Sequence, residues 1–512
     1  MERRHLLKAI PAVGAGLLLS QVPFTAAASK QNISVASRYA TDFKQAIITD
    51  PRLIGFENVE HNFALTSLVI EGQIPNDLVG DFYRNGPAKH ARNGQRYQHL
   101  FEGDGMLQHF HIENGKVTHQ GKFIETPKYT KEQGSGKFLY SGADTKIENS
   151  LPVTHPDAIN VANTNIIPVG RDLWALWEAG SATRIDAKTL DYIEHVDLGK
   201  QSHYGSSLKG LPFSAHPKVS PDGDIWNFGL HPSGSVVLYQ LSASGRTKKV
   251  NIVKANYKGG MLHDFLITQK HILLILPSLK RNVSGDNQGR FFAGIKFDPA
   301  QALRVLVISK ESLTIIKEYQ LEAGFAFHFG NAYEDTQGNI YFDASLYPNV
   351  DILHQMSRLM QGDGVHRSAR AQTVLFTLKN NGQTEQASVA INTEFPRVSQ
   401  HKVGLQNQNL LYLGAKDHQL WSSKVCGLDT QNGNIDSFNY GDDFLVEEHI
   451  PVCQTKDEKS GYVIGTALHV PSKRTCLNVF QANQLSCGPV ARAWLPYHLP
   501  LGFHGNFVEN AP

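Results

Sequence analysis

Residues 235–246 read SVVLYQLSASGR, a β-branched and aromatic run that ends in a small polar turn with glycine. A continuous apolar run with such a boundary predicts a buried strand followed by a hairpin turn. The pattern repeats outward in both directions. Strand-like runs stand at HILLIL (271–276), RVLVIS (304–309), LTIIKEYQL (313–321) and LLYLGA (410–415), and glycine-bearing turns at ENGK (113–116), PDGD (221–224), TQGN (336–339), NNGQ (380–383) and QNGN (431–434). Asn, Asp and Gly supply or tolerate the positive φ angles of tight hairpins. Many short hairpins without alternating long helices predict an all-β fold. At this length a β-propeller is the natural form, because radial blades bury both faces of each sheet and leave few exposed edges. No repeat of the WD or kelch type is present, so this pattern leaves the number of blades open.

Two segments read as helices: SRYATDFKQAI (37–47), and VDILHQMSRLM (350–360), which carries Ile352, Leu353, Met356, Leu359 and Met360 at helix-face spacing. The second is either packed on the sheet core or turned as an adaptable apolar surface toward a substrate or membrane. No linker or low-complexity stretch divides residues 29–512, which read as one domain.

Forty-nine Lys and Arg against 47 Asp and Glu leave a net charge of +2. That balance excludes the strong basic excess of an electrostatic nucleic-acid binder. Residues 1–28 begin with basic residues, continue with an apolar stretch from Ala9 to Leu19 and end in small residues, the layout of an export signal. Arg3 and Arg4 resemble a twin-arginine signal, which implies export to the periplasm. Cys426, Cys453, Cys476 and Cys487 lie in the last fifth of the chain with no CxxC pair, which argues against zinc. An even number in an exported chain suggests disulfides, with four buried thiols as the alternative. CLNVFQANQLSC (476–487) reads as two short strands about Gln481 and Ala482, setting Cys476 opposite Cys487.

Four of the 23 histidines stand out by setting. His216 lies in FSAHPKVSPDGD, His263 in GGMLHDFLIT, His328 in GFAFHFGNAYED and His504 in LPLGFHGNF, each among apolar or turn residues where a strand begins. Their spacings match no local metal motif, and any one alone reads as an ordinary buried histidine. In a propeller, however, inner strands converge on one axis, so one histidine per blade can meet its fellows there.

Ten stretches in order, GDFYRNGP, FEGDGMLQHF, VANTN, LWALWEAG, AHPKVSPDGDIWNFG, LHDFLIT, FHFGNAYE, TEFPRV, PVARAWLP and LGFHGNF, closely resemble the carotenoid cleavage oxygenase family across essentially the whole of the chain after the signal. That family includes apocarotenoid- and lignostilbene-cleaving enzymes. The resemblance implies a seven-bladed β-propeller under a dome of helices and loops. It implies Fe(2+) held on the axis by His216, His263, His328 and His504, with Glu178, Glu394 and Glu448 accepting the far ring protons of His263, His328 and His504, and His216 lacking a carboxylate. A carboxylate there fixes the tautomer and angle of a ligating imidazole. This chain has EEHIPV where a Glu-Pro is usual, so Glu447 could take the place of Glu448.

The implied activity is a dioxygenase that cleaves a conjugated, apolar carbon–carbon double bond with O2 to give carbonyl products. A carotenoid or apocarotenoid reaching the site from a membrane surface is the favoured substrate. A stilbenoid is the alternative, because IETPKYTK places Lys128 near the lysine that stilbene-cleaving members use to contact substrate. A non-catalytic propeller binding a protein partner would not need the histidines. Calcium would call for oxygen ligands, and no G-x-S-x-G elbow points to a serine hydrolase. His155 and Asp157 in HPD could instead seed a two-histidine, one-carboxylate iron site.

Overall fold

A computed structural model describes residues 34–200, 202–282, 290–363, 370–416, 419, 421–453 and 455–509. The export signal read at residues 1–28 lies outside the described residues. Seven antiparallel sheets form a β-propeller. Blade 1 is built from strands of residues 63–123, and blades 2 to 6 occupy residues 165–195, 218–253, 266–321, 325–391 and 393–439 in turn. Residues 444–494 supply blade 7.

The hairpin grammar of the sequence is what makes these sheets. At Asn114–Gly115, φ values of +53° and +71° give two successive left-handed residues, the twist that matches a right-handed strand pair. Between each pair of neighbouring sheets the inward-facing apolar residues form a cluster: Phe213 and Tyr239 between blades 2 and 3, Phe228 and Leu274 between 3 and 4, Val305 and Phe342 between 4 and 5. Each such side chain contributes roughly 1.5–3 kcal/mol when fully buried. The clusters continue around all seven interfaces, including Phe82 and Ile464 between blades 1 and 7.

Two exchanges close the ring. The late strand Gly505–Glu509 pairs with Gly80–Lys89 in blade 1, while the early strand Val69–Gly72 pairs with Ala491–Trp494 in blade 7. Among the described residues three helices cover one end: α1 (Val35–Thr49), α2 (Pro127–Ser135) and α3 (Asp351–Gln361). Phe43 of α1 and Leu359 and Met360 of α3 pack with Leu501 and Phe503. Helix α3 packs on the core through Leu353 and Met360, the first of the two readings, while Ile352 and Met356 line a cavity. The polar helix α2 was not expected; Thr126 caps it by accepting from the Tyr129 N–H, and Pro127 stands in its first turn.

The cysteine pairing is corrected. All four thiols are free. Cys476 lies on the strand Arg474–Gln481 opposite Trp494 and Ala467, and Cys487 is exposed on a short 3-10 turn. The return strand begins only at Ala491, later than the sequence suggested, so Cys487 never reaches the sheet.

Candidate metal centre and cavity

His216, His263, His328 and His504 come from blades 3, 4, 5 and 1, each at the axial end of an inner strand. His216 precedes Lys218–Val219, His263 precedes Leu266–Ile267, His328 follows Phe325–Ala326 and His504 immediately precedes Gly505–Glu509. All four are buried, and one ring nitrogen of each lies within 4.8 Å of the others. The Nε2 atoms of His216 and His504 are 3.1 Å apart, and those of His263 and His328 are 3.3 Å apart.

The far nitrogens explain why three of these four atoms point inward. Nδ1 of His328 donates to Glu394 at 2.5 Å and Nδ1 of His504 donates to Glu448 at 2.9 Å. Nδ1 of His263 contacts Glu178, which stands in the loop after Asp172–Leu176. His216 Nδ1 has no partner among the described residues. A neutral imidazole whose proton is on Nδ1 carries a bare lone pair on Nε2. Lone pairs meeting at about 3 Å repel one another unless a cation lies between them. Nitrogens about 2.1 Å from one ion and at right angles are about 3 Å apart, so the donor set fits a bound metal.

Electrostatics act on both partners of each pair; at His328 burial lowers the ring, but Glu394 outweighs it and the net direction is upward. Burial would raise the Glu448 carboxyl, but Arg397, His504 and the Gly505 N–H outweigh it and hold the group down at about 2. Burial likewise would raise Glu394, yet His328, the Phe395 N–H and the Tyr347 hydroxyl lower it. Burial pulls His504 down to about 4 and His216 well below the usual histidine range.

Glu447 has a different task. It pairs with the fully buried Arg84 and accepts from the Gly502 N–H at 2.6 Å and the Thr466 hydroxyl at 2.7 Å. The two glutamates therefore grip the backbone on both sides of His504. The glycines near His504 act through space rather than through an unusual turn: a Cβ on Gly505 would lie 2.6 Å from the Tyr83 carbonyl oxygen, and one on Gly502 would meet the Arg84 guanidinium.

A cavity of about 1160 Å³ opens over His263, His328 and His504. Phe101, Phe327, Phe503, Tyr347, Trp177 and Met356 line it. Phe395 stacks on His328 with ring centroids 5.1 Å apart, at a left-handed φ of +53°. Such a backbone is costly for a bulky residue and tends to occur where function demands a fixed ring. Sequence reasoning missed Phe395, Arg84 and Tyr347, although the first two lie inside the motifs TEFPRV and GDFYRNGP.

Lys128 lies on the cavity wall but is buried, and its three donors meet Tyr97 Oη at 2.7 Å, Asp104 Oδ1 at 2.7 Å and Glu132 Oε2 at 2.9 Å. The His155–Asp157 alternative has no geometric support. Asp157 accepts from Ser181 and Asn160, His155 is exposed, and neither joins a potential metal cluster among the described residues.

A seven-bladed propeller with a metal-competent histidine cluster on its axis defines an oxygenase class. The family model described as retinal pigment epithelial membrane protein matches residues 56–509, and the chain belongs to that family, the carotenoid cleavage oxygenases. Apocarotenoid-15,15'-oxygenase of Synechocystis sp. is 28% identical, over 86% of this chain and 92% of its own length. Isoeugenol monooxygenase of Pseudomonas nitroreducens is 24% identical over 90% and 98%, and lignostilbene-alpha,beta-dioxygenase isozyme III of Sphingomonas paucimobilis is 24% identical over 87% and 94%. A cobalt-substituted structure of the Synechocystis apocarotenoid oxygenase shares the fold, with a TM-score of 0.77 at 23% identity, covering 92% of this chain and 99% of that one.

Proposed function

We propose that this chain is a non-haem Fe(II) dioxygenase that cleaves a conjugated double bond of a carotenoid or apocarotenoid. Both oxygen atoms of O2 enter the products, one on each carbon of the broken bond, so two carbonyl compounds result and no other reductant is consumed. The observation that carries this reading is the set of four buried Nε2 atoms that converge beneath an aromatic cavity. Iron, when bound, supplies the redox chemistry by which O2 reacts with an electron-rich alkene, and imidazole donors suit it. The chain's own residues fix the imidazole tautomers through Glu178, Glu394 and Glu448, and Phe101, Phe327 and Phe503 keep water from the reacting bond.

The second reading is a stilbenoid substrate, supported by Lys128 and Tyr97 on the cavity wall. Two points favour the polyene. An ammonium has three N–H groups, and those of Lys128 already meet three partners, leaving none for a substrate phenol. The cavity also exceeds the usual upper size of about 1,000 Å³ for small-ligand pockets, suiting an extended chain. Incubation of iron-loaded protein under air with a panel of apocarotenals and hydroxystilbenes, followed by mass spectrometry, tests this. Cleaved apocarotenal aldehydes are expected, with none from the His328→Ala protein; products from hydroxystilbenes alone would replace the first reading by the second.

Exposed Leu151 and Val153, the latter at the cavity rim, suit peripheral contact with a membrane as the source of an apolar substrate. No described helix is long and apolar enough to cross one. Export to the periplasm through the paired arginines is part of the same proposal. Replacing Arg3 and Arg4 by lysine is expected to leave the protein in the cytoplasmic fraction.

A further inference from the structure

Far from the axial histidines in sequence, blade 1 carries a second convergence of ligand-type side chains. His109 and His111 are two apart on the strand Asp104–Glu113, so period-2 geometry puts both rings on one face of the sheet. Asp81 on the neighbouring strand Gly80–Lys89 stands directly opposite His111. Its Oδ1 lies 2.7 Å from Nε2 of His109 and 2.8 Å from Nδ1 of His111. One atom of each residue lies within 4.8 Å of the others.

Two features set this trio apart from a chance surface contact. The His109 ring is already held, stacked on Tyr83 with centroids 4.5 Å apart, and its Nδ1 meets the Gln120 amide at 3.2 Å. In this amide orientation the Gln120 N–H donates to Nδ1 and Nε2 of His109 donates to Asp81. With the amide turned over, the Gln120 carbonyl accepts the Nδ1 proton and Nε2 is left bare for a cation. A metal-ligating histidine normally has such an outer partner. His111, by contrast, is 37% exposed in its side chain, which leaves the site open to solvent for entry of an ion and for water as a further ligand.

We propose that Asp81, His109 and His111 form a second metal site, of the two-histidine, one-carboxylate type, that takes a divalent ion of the zinc class. Mixed imidazole and carboxylate donors suit zinc. Ligands on one ion are about 3 Å or more apart, so the atoms now at hydrogen-bond distance need only small side-chain rotations. The site is independent of the axial centre and of the reaction assigned to it.

The test titrates Zn2+ into tag-free, iron-loaded full-length protein, following heat by calorimetry and both metals by elemental analysis after gel filtration. One equivalent of zinc is expected with no loss of iron. The variants His111→Gln and Asp81→Asn are expected to keep their iron and to bind that zinc at least tenfold more weakly. Zinc taken up only as iron is lost, no zinc retained by the wild type, or variants that bind it as the wild type does would each overturn the proposal. Should His111→Gln fail to fold, the isosteric Asp81→Asn variant decides alone.

Discussion

Glu448 accepts hydrogen bonds from Nδ1 of His504 and the Gly505 N–H, whereas Glu447, one residue earlier, answers Arg84, Thr466 and Gly502. Their amide variants are therefore expected to fail differently. Glu448→Gln removes the carboxylate that fixes a ligand ring, and metal affinity should fall about 10- to 100-fold. Glu447→Gln leaves a fully buried guanidinium without its counter-charge, at a cost of about 3–5 kcal/mol. Metal competition should single out the first variant, and urea unfolding of the metal-free protein the second. At this scale the sequence was informative where a motif repeats a residue type in a recognisable setting, as for the four histidines. It could not divide labour between adjacent glutamates, because their partners at positions 84 and 504 lie 363 and 56 residues away in other strands and loops. Lys128 was obscure for the same kind of reason: its partners Asp104 and Tyr97 come from another element.

Two consecutive buried glutamates contradict the alternation of a strand, and the strand Phe444–Val452 accommodates them with a bulge. Pairing runs Val446 to Ala467 and then resumes at His449 to Gly465, so the register shifts across residues 447 and 448. Such bulges re-aim side chains next to functional sites. Gly465 makes room, since a Cβ there would lie 2.4 Å from the His449 ring and 2.7 Å from the Glu448 carbonyl oxygen. Gly465→Ala is expected to push the bulge outward, destabilising the fold by about 1–3 kcal/mol as overpacking and weakening metal retention. Unchanged metal content would show that the bulge does not set Glu448. Strands and hairpin turns were legible because their residues carry local conformational demands. The bulge was not, being a property of a strand pair, and the short strand taken to hold Cys487 is a turn because sheet pairing resumes only at Ala491. Helix α2 left one usable sign, the Thr126–Pro127 start that caps it.

The whole propeller is held partly by histidines that must remain neutral. Burial pulls His99 and His119 down to about 3 and His449 to about 4. In the unfolded chain each takes up a proton near pH 6.5, so the stability due to neutrality is complete above that pH and is lost as the pH falls toward 4. Each group then costs about 1.4 kcal/mol per pH unit. Asp343, raised by burial to about 6, opposes this, because it is protonated in the native state between about pH 6 and 4 while the unfolded carboxyl is not. With no metal bound, the similarly depressed His216 and His504 add to these losses, so the histidines outweigh the one opposing carboxyl and stability falls as the pH drops from 6 toward 5. Guanidinium unfolding of the metal-free protein at pH 7, 6 and 5 should show most of this fall between pH 6 and 5; a flat profile would contradict the neutral histidines. The ring as a whole was legible in class but not in blade count from the hairpins alone, since the blades share an architecture without sharing a repeat.

The crossed exchange of strands at the seam between blades 1 and 7 has a consequence for biosynthesis. Gly505–Glu509 is translated after every other described strand, and His504 immediately before it. A nascent chain can therefore assemble three of the four axial imidazoles early, but the set is completed only once His504 has been made and the strand after it has crossed to blade 1.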